Sequence, residues 1–187
     1  MQAKFRHHLI EQGFSDVEVT QLTSLAKPLE LPTRHILIQQ GVQAESFYFV
    51  LNGLCHASYL TAQGKEFSKE FYWELDWIIG FESLIKQQPS AFLLETLTPC
   101  ELMCLPIDTL KQWRSDNHPI YLKLVETQLM HKENKERFML LYSAEQRYQL
   151  FCENFADLEQ RLSDYQIAAY LGITPVSLSR IKNRAAE

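Results

Sequence analysis

Residues able to read a nucleic acid are concentrated at the carboxy-terminal end of the chain. From Thr174 to Glu187, three cations (Arg180, Lys182, Arg184) stand against one carboxylate, Glu187, with hydroxyls at Thr174, Ser177 and Ser179. A guanidinium bonds a guanine edge bidentately, whereas hydroxyls, lysines and a helix N-terminus hold phosphates. The expected contact set is Thr174, Pro175, Val176, Ser177, Ser179, Arg180, Lys182 and Arg184. Arg180 is assigned to base readout. Thr174, Ser177, Ser179, Lys182 and Arg184 are assigned to backbone contacts or helix caps.

Other chemistry finds little support. His35 and His56 are isolated, His7-His8 are adjacent, and no HxH or HExxH spacing occurs. Metal ligation is therefore not expected. No Gly-rich phosphate loop, GxSxG elbow or Cys–His nucleophile pattern is present, so no catalytic residue and no cofactor are expected. Cys55, Cys100, Cys104 and Cys152 form no CxxC pair and read as reduced thiols. Cys100 and Cys104, four apart in a strand, point the same way.

Two short helices must carry the contact set. Ser163 with Gln166 three residues on has capping-box spacing, the helix YQIAAYL stops at Gly172, and Thr174-Pro175 starts VSLSRIKNR. This is a helix-turn-helix pattern. Ala168 lets the helices approach, and Ile167, Leu171, Ile173, Leu178 and Ile181 fall toward a common core.

Upstream, Ser15 and Glu18 again have capping-box spacing, with Val17, Leu22 and Leu25 as the expected buried stripe, ended by Pro28 and Pro32. From His35 to Pro106 the runs HILIQQ, SFYFVLN, LCHASYL, EFSKEFYW, AFLLETLT and CELMCLP read as strands. Gly41, Gly53 and Gly64 punctuate the first four. Phe67, Phe71 and Trp73 are expected on one face, with Lys69 intruding. The aromatics Phe47, Tyr48, Phe49, Phe67, Phe71, Tyr72, Trp73 and Trp77 either fill a small barrel or line a cavity in it. Leu110 and Trp113 suit a short helix. From Pro119 to about Asn154 no Pro or Gly interrupts, which allows a helix on the order of 45–50 Å. Its Leu124, Val125, Leu129, Phe138 and Leu141/Tyr142 are expected to be covered by a second copy, and the polar run His131–Arg137 to be solvated.

The 187 residues, 46% hydrophobic and 22% charged, suit a folded chain of one or two domains. A net charge of −5 excludes a histone-like binder but not a local basic patch. No apolar stretch approaches the roughly 18 residues that span a bilayer. The opening MQAKFRHHLIEQ lacks a signal-peptide core, so a cytoplasmic location without membrane partners is expected.

Barrel, long helix and helix-turn-helix, in that order, resemble the Crp/Fnr family of bacterial transcription regulators. The resemblance spans nearly the whole chain and is strongest at Ser46–Gly53 (SFYFVLNG) and Ile167–Ile181 (IAAYLGITPVSLSRI). It implies an α+β fold: a jelly-roll-like, cyclic-nucleotide-binding-type β-barrel over 1–118, a dimerisation helix over 119–143 and a winged-helix-type helix-turn-helix domain over 144–187 with its wing truncated. It also implies a homodimer on a pseudo-palindromic operator in double-stranded DNA, RNA polymerase as a further partner and a small-molecule effector of unknown identity.

The effector segment would be DWIIGFESLIKQQPSAF, with Trp77, Gly80, Phe81, Glu82, Ser90 and Ala91 as candidates. Members that bind cyclic AMP carry Gly-Glu and then Arg-Ser-Ala or Arg-Thr-Ala there. This chain has Ile79-Gly80, and Pro89 before Ser90-Ala91, with Lys86 the one nearby cation. A cyclic phosphate needs a paired cation, so a response to cyclic AMP is not expected. The first cysteine is Cys55, which disfavours the iron–sulfur branch. Val176 replaces the cytosine-reading Glu of many members. The alternative is a dimeric sensor or adaptor that has lost specific DNA binding.

Overall fold

Residues 1–185 are described by a computed structural model of the chain, and they divide into two units, Met1–Leu124 and a second beginning at Val125. In the first unit, α1 (Gln2–Glu11) and α2 (Asp16–Leu25) precede eight strands: β1 (Lys27–Leu31), β2 (Ile36–Ile38), β3 (Ser46–Asn52), β4 (Cys55–Leu60), β5 (Glu66–Tyr72), β6 (Trp77–Ile78), β7 (Leu93–Thr96) and β8 (Cys100–Pro106). α3 (Phe81–Lys86) lies between β6 and β7, and α4 (Ile107–Ser115) follows β8. The strands form two antiparallel sheets, ordered β1-β8-β3-β6 and β2-β7-β4-β5, which is the jelly-roll barrel expected.

Alternation explains why SFYFVLN is buried along nearly its whole length. Tyr48 and Val50 face the barrel interior with Ile78, Leu102, Cys55, Ala57, Tyr72 and Leu94. Phe47, Phe49 and Leu51 point the other way, into a second cluster closed by Phe5, Leu9, Val19, Leu22, Leu110 and Trp113. Most of the expected aromatics are therefore core. Cys100 belongs to the barrel interior and Cys104 packs against it, so the two do share a face. All four cysteines are free thiols.

Several details correct the expectations. The Ser15 capping box forms, but Val17 is 77% exposed; Val19 and Leu22 carry the buried face. β1 was hidden by Pro28, which an edge strand tolerates because one side of its ladder is unpaired. The shared face of Phe67 and Phe71 does not exist. Ala57 opposes Glu70 while Ser58 opposes Ser68, leaving Lys69 as an extra bulge residue. A bulge shifts the alternation, so Phe67 is 47% exposed and Phe71 fully buried.

The helix of roughly 45–50 Å allowed by the lack of Pro and Gly is shorter, ending close to the expected 119–143 bound. α5 (Pro119–Leu141) has 23 residues, or about 35 Å. Ser143, in extended conformation, then caps α6 (Ala144–Asn154) through a capping box with Gln146. The signal was the S-x-x-Q spacing, which overrides the absence of Pro and Gly. Leu124 is 1% exposed within the first unit's own core, so it is no candidate for a partner's cover; Leu129 and Leu141 are 55% and 69% exposed.

Candidate nucleic-acid interface

The second unit is built around Phe151, Leu158, Leu162, Ile167, Ala168, Leu171, Leu178 and Ile181, all buried. They come from α6, α7 (Ala156–Arg161), α8 (Asp164–Tyr170) and α9 (Pro175–Ala185), with Leu162 and Leu171 at the helix ends. Phe151 packs at a tilt against Phe155 and Tyr170 at ring separations of 5.9 and 5.6 Å, and the Tyr170 contact holds α6 against α8.

Each end of the α8–α9 turn has a local cause. The Ser163 backbone N–H donates to Gln166 Oε1 at 2.9 Å, completing the capping box that starts α8. At the other end the Gly172 N–H donates to the Ala169 carbonyl and the Ile173 N–H to that of Ala168, the paired bonds of a Schellman stop. Gly172 has φ +66°, and a Cβ there would lie 2.6 Å from Met139 Cε. Thr174 then caps α9: its Oγ1 accepts the Ser177 N–H at 3.1 Å and lies 2.9 Å from Ser177 Oγ. Pro175, at the first helical position, has no N–H to satisfy.

On α9, Leu178 and Ile181 turn inward, at 0% and 5% exposure. At 100° per residue, the opposite face is centred on Val176, Ser179, Arg180 and Asn183, and all four are exposed. Thr174 and Pro175 are exposed at the helix start, while Ser177 is half-buried. Asn183 is absent from the expected contact set although it continues the i, i+4, i+7 row of Val176 and Arg180. That spacing was the signal, and an Asn amide can bond adenine bidentately.

Lys182 and Arg184 flank this face and are already engaged. Lys182 Nζ lies 2.6 Å from Asp164 Oδ1, 3.8 Å from Glu159 Oε1 and over the Tyr148 ring. Arg184 pairs with Glu145 of α6 at 3.3 Å. Arg180 makes no ion pair among the described residues. Among the described residues, strands occur only within 27–106.

The candidate effector residues have different surroundings. Trp77 is 3% exposed amid Phe5, Phe14, Phe47 and Phe49, with its indole N–H donating to Gln12. Phe81 packs edge-on against Tyr121, and Glu82 is exposed and pairs with Lys86 at 2.7 Å. Ser90 is buried and its hydroxyl donates to the Phe92 carbonyl; Ala91 is exposed. Gly80 alone of the six lines a recess of about 380 Å³, with Gln43, Ala44, Ser83, Gln87 and Lys111 among its neighbours.

The family model of the cyclic nucleotide-binding domain matches residues 28–117. No curated protein matches the chain by sequence. Among solved structures, FixK2 from Bradyrhizobium japonicum is similar at 18% identity and TM-score 0.69, covering 85% of this chain and 83% of its own. The c-di-GMP responsive global regulator CLP of Xanthomonas campestris is similar at 17% identity and TM-score 0.64, with 96% and 91% covered. The Thermus thermophilus catabolite activator protein follows at 19% identity and TM-score 0.53, with 93% and 84% covered.

Proposed function

Because residues 28–117 match the cyclic nucleotide-binding domain and the chain has the fold of the Crp/Fnr-type regulators, we propose that it is a sequence-specific DNA-binding transcription regulator of that type. The observation that carries this reading is the outward face of α9. Val176, Ser179, Arg180 and Asn183 are exposed in a row while Leu178 and Ile181 anchor the helix behind them. A helix fits the major groove, and two related by a twofold axis would enter grooves about 34 Å apart on a pseudo-palindromic site. The exposed Leu129, Met130, Leu140 and Leu141 of α5 support a second copy as the covering partner. RNA polymerase is the further partner such a regulator would engage.

Cyclic AMP is not the proposed effector. Lys86 is tied to Glu82, Ser90 to its own loop, and Pro89 supplies neither cation nor N–H. A cyclic phosphate would need both. The test is selection of bound sequences from a random DNA pool with and without cyclic AMP. A recovered palindrome unaffected by the nucleotide is the expected result; no enriched sequence overturns the reading.

A second reading, a dimeric sensor or adaptor without specific DNA binding, is favoured by one observation. Lys182 and Arg184 spend their charge on carboxylates of their own unit. Binding with neither salt dependence nor sequence preference would select it.

A further inference from the structure

We propose that His56, Glu66 and Glu95 bind one borderline divalent cation, Zn²⁺ in preference to Mg²⁺ or Ca²⁺, on the face of the β7-β4-β5 ribbon that points away from the barrel interior. His56 is isolated in sequence, and the ladder creates the site. β4 lies between β7 and β5, and His56 stands directly opposite Glu95 across the β4–β7 pair. One ligand atom from each of the three residues lies within 4.8 Å of the other two. His56 Nδ1 is 3.7 Å from Glu66 Oε1. Cys55 and Ala57, the strand neighbours of His56, face the barrel interior, which places His56 on the opposite face.

The imidazole is oriented as a ligating histidine is. Its other nitrogen, Nε2, lies 3.0 Å from Ser68 Oγ, and the ring stacks on Phe71 at 4.5 Å and 16°. A hydrogen bond at the far nitrogen fixes ring orientation and leaves the near one for the metal. The two carboxylates oppose each other electrostatically. A second polar group shares this face: Ser58, two residues along β4 from His56 and across the ladder from Ser68, has a buried hydroxyl with no hydrogen-bond partner.

The donor set selects the cation class. One imidazole and two carboxylates suit Zn²⁺ and its first-row neighbours, whereas Mg²⁺ and Ca²⁺ prefer oxygen alone and Cu⁺ prefers sulfur. Tetrahedral Zn²⁺, with bonds of about 2.0–2.2 Å, holds its ligand atoms roughly 3.3–3.5 Å apart. His56 and Glu66, at 3.7 Å, already stand near that spacing, and no pair in the set has to close by more than about 1.5 Å.

The test is calorimetric titration of the metal-stripped full chain with zinc chloride, in parallel with magnesium chloride. One zinc per chain is expected, with Glu66→Gln and Glu95→Gln each weakening it by roughly 10- to 100-fold or more. Both variants sit outside the buried core, on β5 and β7, and keep the proposal testable where His56→Asn, at a buried position, fails to fold. A His7→Asn/His8→Asn variant, which removes the exposed histidine pair near Glu11, should bind zinc as the parent does. Zinc affinity unchanged in both glutamine variants, no saturable zinc binding, or equal binding of magnesium would each overturn the proposal and leave an ion-pair network only.

Discussion

Lys182 Nζ lies 2.6 Å from Asp164 Oδ1, which joins the last turn of α9 to the first turn of α8. Together with the Arg184–Glu145 pair, this contact neutralises two of the three cations of the interface within the unit itself. The chain as a whole carries a net charge of −5, so what cation remains uncommitted decides how DNA is met.

Asp164→Asn removes the nearer of the two carboxylates on Lys182, leaving Glu159 at 3.8 Å, and should let Lys182 reach a phosphate. The exposed pair contributes little to stability, at most about 1 kcal/mol. DNA affinity is expected to rise severalfold, and the slope of log K against log salt to steepen by roughly 0.9 for each half-site. Fluorescence anisotropy titrations of a selected site across a salt series measure both quantities. An unchanged slope would mean that Lys182 stays off the phosphate backbone.

Base readout separates from backbone contact by position on α9. Arg180→Ala and Asn183→Ala should each cost ~1–3 kcal/mol on the preferred sequence and relax preference at one base position per half-site. Arg184→Ala should instead weaken all sequences alike. Competition binding against single-base variants of the operator distinguishes the two patterns. Uniform weakening by Arg180→Ala would remove it from the base-reading role.

The helix-turn-helix was legible because its signals are local: Ser163 with Gln166, Gly172, and Thr174-Pro175 each act within a few residues. The barrel strands were legible from their β-rich runs. What escaped depended on partners distant in sequence. β1 is a strand only because β8 pairs with it despite Pro28. The Lys69 bulge exists only in register with β4. The His56–Glu66–Glu95 cluster needs three strands side by side, which no spacing reveals. The Ser143 break is different: its capping box was present in the sequence, but the lack of Pro and Gly drew the longer helix.

The turn after β3 is where one added methyl should do most harm. Gly53 has φ +102°, and a Cβ there would lie 2.6 Å from both the Pro99 carbonyl oxygen and Cys100 Sγ. The backbone atom cannot swing aside as a flexible side-chain end can. Gly53→Ala is therefore expected to destabilise the chain by roughly 2–5 kcal/mol, combining left-handed strain with overpacking. Urea unfolding should show a lower midpoint with an unchanged slope. A loss below about 1 kcal/mol would show that β3 and β8 yield there.

The carboxylate pair on β5 and β7 predicts a pH dependence whose sign runs against the usual acid-denaturation trend. Burial, and then the Glu66 charge, raise Glu95 above an ordinary glutamate. A carboxyl with a raised folded value binds its proton more tightly in the folded state than in the unfolded one. Its contribution is thus present below the ordinary glutamate value, about 4.3, and is lost as pH rises through the folded value. With a chelator present, Glu66→Gln should lower the Glu95 midpoint followed by carbon-13 NMR and flatten the fall in stability over that window. Burial would still hold part of the shift, because it is the larger cause. A Glu95 midpoint that does not move in Glu66→Gln would show that the two carboxylates do not act on each other.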